Sequence, residues 1–202
     1  MNQFLTTCRI ALVASALIAS AAAHATFSIV AFDPNTREVG SAMATCVSNI
    51  DLGFFASRFA PGQGAINAQS FASVPNLLNG RERLLMGDSA QETLDFLLAN
   101  DVNNDPQSRQ YLIVDLGDNA FDHSVTFSGA DNFAFAGGVD GDNYAIAGNI
   151  LSGEDIILQM ETAFLNTDGW LGEKLMAALQ GPRNQWLTSV ARRRHRCRRT
   201  SA

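Results

Sequence analysis

The sequence predicts an α+β fold, specifically a four-layer αββα sandwich, and three observations predict it. Strands come first, then two helices, then strands again, then two more helices. The connections within each run of strands are short and polar, and neither a long linker nor an internal repeat divides the chain. Runs of strands alternating with paired helices suit two antiparallel sheets, each covered on its outer face by helices.

The chain opens with "MNQFLTTCRIALVASALIASAAAHA", which has a short n-region carrying Arg9, an apolar run of about 14 residues from Ile10 to Ala23, and small residues at Ala23 and Ala25. This is the pattern of a secretory signal peptide with an A-x-A cleavage site. A membrane-spanning helix needs roughly 20 apolar residues, so residues 1–25 predict export without a stable membrane anchor. "LTTC" at Cys8 precedes the apolar run, which argues against a lipoprotein. Cleavage after Ala25 delivers a secreted or periplasmic protein that begins at Thr26, and residues 26–181 are enough for one domain with a proper core.

"TFSIVAF" (26–32) is rich in β-branched and aromatic residues, and the turn chemistry of "DPNTREVG" folds it back onto "VGSAMATCV" (39–47) as a hairpin. "GQGAINAQSF" (62–71) reads as a third strand. The period then changes. "NLLNGRERLLMG" places Leu77, Leu78, Leu84 and Leu85 on one helical face. "SAQETLDFLLAN" starts a second helix with a capping box of Ser89 and Glu92. Strands return at 110–116, 120–129 and 143–151. Ser152 then caps a helix with Asp155 at its third position and Ile156, Met160, Ala163 and Phe164 on one face, and "WLGEKLMAALQG" forms the last helix, closed by Gly181.

All 20 acidic residues lie between Asp33 and Glu173, whereas six of the 14 basic ones crowd into "RRRHRCRR" at 192–199. From Thr26 to Ala191 seven basic residues face 20 acidic ones, a net charge of −13. Such a body repels phosphate backbones, so no nucleic-acid partner is expected. Two cysteines remain after cleavage, Cys46 and Cys197, and in an oxidising compartment a disulfide between them is a candidate.

Thr26 is the candidate reactive group. A threonine hydroxyl is a poor nucleophile unless a neighbouring base takes its proton. At a free N-terminus the residue carries that base itself, an α-amine that ordinarily titrates at about 7.7 to 8.0. Inside a chain the same nitrogen is an amide and cannot serve. The αββα architecture is the one in which N-terminal nucleophile hydrolases place their first residue, at the start of a sheet strand, although fold analogy by itself is association.

"TFSIVAFDPNTREVGSAMAT", "GQGAINAQS", "RQYLIVDLGDNA", "TFSGA" and "GNILSG" occur in this order and at about these spacings in the family called domain of unknown function 1028, which the chain resembles over roughly residues 26–180. The resemblance implies the N-terminal nucleophile hydrolase fold and an amidohydrolase reaction. In that reading Thr26 is nucleophile and α-amine base, and Asn149, which with Gly148 matches the family's "GN" pair, is a candidate oxyanion donor or else a strand-end amide that satisfies backbone groups; Gly148 is a candidate for the substrate site, and Ser128, at a strand end in "TFSGA", either joins it there or is a turn serine. A small-molecule or peptide amide is the implied partner, no cofactor and no metal is required, and self-association into a homo-oligomer stays open. The alternative is a secreted binding or structural module that keeps the fold without turnover.

Departures from the family pattern accompany the resemblance. Many relatives have Gln before the "GN" pair and Trp and His a little earlier, where this chain has Ala147, Gly137 and Gly138. The lysine that assists proteasome-like relatives has no counterpart; Lys174 is the only lysine, which leaves Arg37, Arg58 or the amine to supply positive potential. Family members also continue past the last helix into an apolar strand, whereas this chain runs "GPRNQWLTSVARRRHRCRRTSA". Residues 182–202 therefore read as an atypical, basic and disordered tail, the product of a shifted reading frame, with the last strand of one sheet lacking. Sequencing an intact frame in the coding DNA would remove that expectation.

Other constellations carry less. "DVNNDPQSRQYL" opens like a calcium loop with Asp101, Asn103 and Asp105, but Pro106 and Leu112 stand where Gly and Glu are needed, so it reads as a polar loop. Asp140 and Asp142 in "GVDGDN" read as a turn. His24 leaves with the signal peptide and His195 lies in the tail, so neither a histidine triad nor a zinc set can be assembled around His123. Cys46 has no basic neighbour and reads as a small buried residue.

Overall fold

The computed structural model describes residues 25–117 and 123–182. The segment before Ala25 that reads as a signal peptide, the basic tail after Pro182, Cys197 and the place expected for the lacking strand lie outside the described residues. Among the described residues, eight strands form two four-stranded antiparallel sheets.

The first sheet is built on the predicted hairpin. Strands β1 (Thr26–Phe32) and β2 (Val39–Thr45) pair antiparallel, and Asp33 holds the turn by accepting from the Asn35 and Thr36 amides at 2.7 and 3.1 Å. Strands β7 (Gly137–Gly141) and β8 (Tyr144–Asn149) complete it in the order β2-β1-β8-β7. The second sheet has the order β3-β4-β5-β6, with β3 (Ser57–Ala60), β4 (Gly64–Ser70), β5 (Arg109–Asp115) and β6 (Ser124–Ser128).

Helices α2 (Val74–Leu85) and α3 (Ala90–Ala99) join the halves of the second sheet, and α4 (Asp155–Leu165) and α5 (Leu171–Gln180) follow β8. A five-residue helix α1 (Leu52–Ala56) precedes β3. The capping box on α3 forms as expected from Ser89 and Glu92. That helix also receives a carboxylate at its N-terminus, because Ala90 N–H donates to Asp115 at 2.7 Å.

Strand alternation divides the core into three apolar clusters. Ile29, Ala31 and Ile146 pack against Ile156, Met160 and Phe164 of α4 and Leu171 and Leu175 of α5. Ile66, Ala68, Tyr111 and Ile113 pack against Leu77 and Leu84 of α2 and Leu94 and Leu97 of α3. The opposite phase of the strands meets between the sheets, where Val30, Phe32, Ala145 and Ala147 face Ala65, Leu112 and Val114.

Several expectations need correction. Gly137–Gly141 is strand β7, so Asp140 is in a strand and only the Asp142–Asn143 step turns; Asp140 accepts from the amide and hydroxyl of Thr126 at 3.0 and 2.9 Å. Leu77 and Leu84 are buried on α2, but Leu78 and Leu85 are exposed, because the sheet-facing stripe is completed by Asn76 and Gly80 instead. Ser152 does not cap α4; Glu154 holds that position without a side-chain hydrogen bond. Gly181 ends α5 in right-handed conformation, φ −48°, so its missing side chain is not needed for a left-handed cap. Cys46 is exposed, because it follows the last residue of an outer strand at an open sheet end.

The loop read as polar does hold an organising ion pair. Asp101 accepts from Arg109 Nε and Nη2 at 2.7 and 3.0 Å and from the Asn103 and Asp105 amides at 2.9 and 3.1 Å. The Arg109 guanidinium, reinforced by those two amides and Asn76, holds the Asp101 carboxyl well below the usual carboxylate range against the opposing effect of burial. Burial in turn pushes the neighbouring Tyr111 hydroxyl up to about 12.

Candidate functional site

The gap between the sheets is apolar at one end and polar at the other. Along β1 the residues facing the second sheet are Phe32, Val30, Ser28 and Thr26, so the strand's own sequence changes from apolar to hydroxyl-bearing as it nears its start. Thr26 lies opposite Thr45 on β2 and opposite Asn149 on β8. Its Oγ1 is 2.8 Å from Thr45 Oγ1, and Thr45 Oγ1 also accepts from the Val47 amide at 3.2 Å.

Beyond Thr26 the polar end is tied together by amides. Ser28 donates to Gln69 Oε1 at 2.9 Å, and Gln69 Nε2 donates to Gln110 Oε1 at 2.8 Å. Gln110 Oε1 also accepts from Asn149 Nδ2 at 2.9 Å, while Gln110 Nε2 donates to Ser128 Oγ at 2.7 Å and to the Gly148 carbonyl at 2.8 Å. Ser28, Gln69, Gln110 and Asn149 are each at most 3% exposed. Gln110 thus uses both faces of its amide, and the network crosses from one sheet to the other through hydrogen bonds that burial makes costly to break.

A second amide sits beside it. Asn67 Oδ1 accepts from Ser41 at 2.9 Å and Ser57 at 2.7 Å, whereas its Nδ2 is buried without a partner among the described residues. The backbone is also strained at this end. Ser70 and Ile150, the residues after Gln69 and Asn149, adopt left-handed conformations with φ of 65° and 54°. For a β-branched residue such as Ile150 that is an outlier, and such strain clusters at functional sites. Gly148 permits close approach: a Cβ there would lie 2.6 Å from Leu151 Cδ1 and 3.0 Å from the Thr26 carbonyl oxygen.

The residues expected at the site therefore come together. Thr26, Asn149, Ser128 and Gly148 all lie at the polar end, though Asn149 is turned towards Gln110 and Ser128 accepts from the same side chain. The expected sources of positive potential do not join them. Arg37 donates to the Leu116 carbonyl at 2.8 Å beside the opposite end of β1, Arg58 donates to the Phe54 and Ser57 carbonyls at 2.6 and 2.7 Å, and Lys174 Nζ lies 5.8 Å above the Phe164 ring. His123 is held by Asp115 at 3.0 Å. Among the described residues, no group of three or more His, Cys, Asp or Glu is placed to hold a metal ion.

Thr45, Asn67, Gln69 and Gln110 are the site residues that sequence reasoning missed. A signal for three of them exists: Asn67 and Gln69 share the phase of Ala65 in "GAINAQS", and Gln110 shares that of Leu112 and Val114 in "RQYLIVD". A polar residue in the buried phase of a strand has to be satisfied by partners, and here the partners are one another.

The fold and site define a mixed α+β protein with two facing antiparallel sheets and a hydroxyl-bearing strand start at their polar end. The chain belongs to the family of unknown function DUF1028, whose family model matches residues 26–185. Its structure is similar to the crystal structure of a protein of that family from Silicibacter pomeroyi, with a TM-score of 0.70 and 24% identity over 79% of this chain and 70% of that one. No curated protein matches the sequence.

Proposed function

We propose that the protein is an exported amidohydrolase of the N-terminal nucleophile kind, built as a four-layer αββα sandwich, in which Thr26 becomes the first residue when the signal peptide is removed. The observation that carries the reading is the Thr26 hydroxyl at the polar end of the gap, 2.8 Å from Thr45 Oγ1 and opposite Asn149. The packing of α2 and α3 on one sheet and of α4 and α5 on the other supports the reading.

The reaction follows from those groups. Thr26 Oγ bonds to the carbonyl carbon of the amide while its proton passes to the Thr26 α-amine, directly or through one water. The oxyanion is met by Asn149, whose second amide hydrogen remains after the first is given to Gln110. The carbon–nitrogen bond then breaks, the amine leaves with the proton held by the α-amine, and water hydrolyses the acyl ester with the same amine as base. Ser128 and Gly148 line the substrate side. An envelope amide or a small acylated amine suits the expected compartment.

Intact-mass measurement after exposure of the exported protein to an acylating ester tests the reading: one acyl group is expected on Thr26, and none on Thr26→Ala. The second reading, a binding module without turnover, is favoured by Lys174 lying on Phe164 rather than at the site. Under it, Thr26→Ala leaves the protein's behaviour unchanged and no residue at the N-terminus takes up an acyl group.

A further inference from the structure

Two aromatic rings stand at the polar end of the gap between the sheets. β1 begins where β4 ends: Ser28 meets Gln69, while at the other end of the two strands Phe32 and Ala65 share one apolar cluster. Phe71, two residues past Gln69, therefore leaves the second sheet at the end where Thr26 starts the first. Phe133 is tied to the first sheet at that same end. Its carbonyl accepts from the Ile150 amide at 3.3 Å, one residue past Asn149, and Asn149 lies opposite Thr26. The rings of Phe71 and Phe133 meet with centroids 5.8 Å apart and planes tilted by 50°, so one aromatic pair spans the ends of both sheets. The two residues nonetheless remain 50% and 60% exposed.

The backbone that carries the pair is fixed. Arg109 Nη1 donates to the Phe71 carbonyl at 2.5 Å, and the Arg109 carbonyl accepts from Asn132 Nδ2 at 2.9 Å, beside Phe133. Asp101 in turn holds the Arg109 guanidinium. The left-handed residues at this end serve the same two rings: Ser70 precedes Phe71, and Ile150 bonds Phe133. Strain that delivers rings to solvent instead of to a core gains little for folding. Rings already held in place cost a ligand little ordering when it settles against them.

We infer that Phe71 and Phe133 are the ring-binding wall of the Thr26 site, and that the substrate is an amide with an aromatic ring close to the bond that is cut. The inference rests on Thr26 being the nucleophile. Aromatic rings pack tilted or offset with centroids about 4.5–7 Å apart, the contact Phe71 and Phe133 already make with each other, and a substrate ring adds a third member to the set. The polar groups beyond them, Gln69, Gln110 and Asn149, then face the amide.

Three esters read which half of the substrate carries the ring: 2,2,2-trifluoroethyl acetate has none, 2,2,2-trifluoroethyl phenylacetate has one on the acyl half, and phenyl acetate has one on the leaving half. The exported protein is treated with each, and alcohol release and the mass added to Thr26 are followed with Thr26→Ala as background. In the step measured, Thr26 Oγ bonds to the acyl carbon, the bond to the leaving oxygen breaks, and the hydroxyl proton passes through the α-amine to that oxygen. Comparing each ester between wild type and variant cancels its intrinsic reactivity. Phe71→Ala and Phe133→Ala should each lower the rate with one ring-bearing ester about tenfold relative to the rate with trifluoroethyl acetate. Phe71→Leu and Phe133→Leu keep apolar bulk and should lower the same ratio about threefold. A ratio that none of the four variants moves, or an equal loss with all three esters, would overturn the ring-binding wall while leaving Thr26 as nucleophile. Absence of any acyl group on Thr26, with no alcohol released above the Thr26→Ala background from any ester, overturns both.

Discussion

Gln110 is the residue on which the polar end of the gap depends, because its one amide meets Gln69, Asn149, Ser128 and the Gly148 carbonyl. Gln110→Leu keeps the volume but leaves two buried amide donors and two acceptors without their partner. A buried polar group stripped of its partner costs about 1–3 kcal/mol, and we expect urea unfolding to show a loss of about 2–3 kcal/mol with an unchanged m-value. Because Asn149 then loses its tether, acylation at Thr26 should slow as well. Unaltered stability in that variant would show that the network holds nothing. That a strand starts at Thr26 was legible from the sequence, since the β-branched and aromatic run begins there. Its partner Thr45 was not, because the pairing of Thr26 with Thr45 is set by the register of a hairpin whose turn length fixes which hydroxyls meet.

Among the elements, the hairpin β1–β2, the four long helices and β5 could be read directly, because β-branched runs and helical periods mark them. β7 could not. Its sequence "GGVDG" has turn composition, and it is a strand because β8 offers it a partner through Ile146 and Ala147. β3 is four residues long and follows a one-turn helix, too short for periodicity to appear. The loop 100–108 was read as polar, but its function as a clamp on β5 needs the fold, which brings Asp101 onto Arg109 with side chains only 1% and 5% exposed. Asp101→Asn leaves the guanidinium buried and uncompensated and should cost about 3 kcal/mol in chemical denaturation. The folded carboxyl lies below its unfolded value of about 3.9. The stability it contributes is therefore complete above that value and declines as pH falls from there towards the folded pKa. Wild-type protein should lose stability over this acid range more steeply than Asp101→Asn, and parallel profiles would contradict the assignment.

For the whole molecule, the proposed function joins an acidic body to an expected export signal. A net charge of −13 between Thr26 and Ala191 is the ground for expecting no nucleic-acid partner, and the proposed chemistry needs an N-terminus that only cleavage creates. A mixed α+β fold with antiparallel sheets was legible from the order of the elements. The division of the inter-sheet gap into apolar and polar ends was not, because it emerges only when Gln69 and Gln110 from the second sheet are set against Ser28 and Asn149 from the first. N-terminal sequencing of the exported protein tests the account most directly. It predicts threonine in the first cycle, followed by Phe-Ser-Ile-Val, whereas a chain that retains Ala25, or any residue ahead of Thr26, has an amide where the base should be and contradicts it.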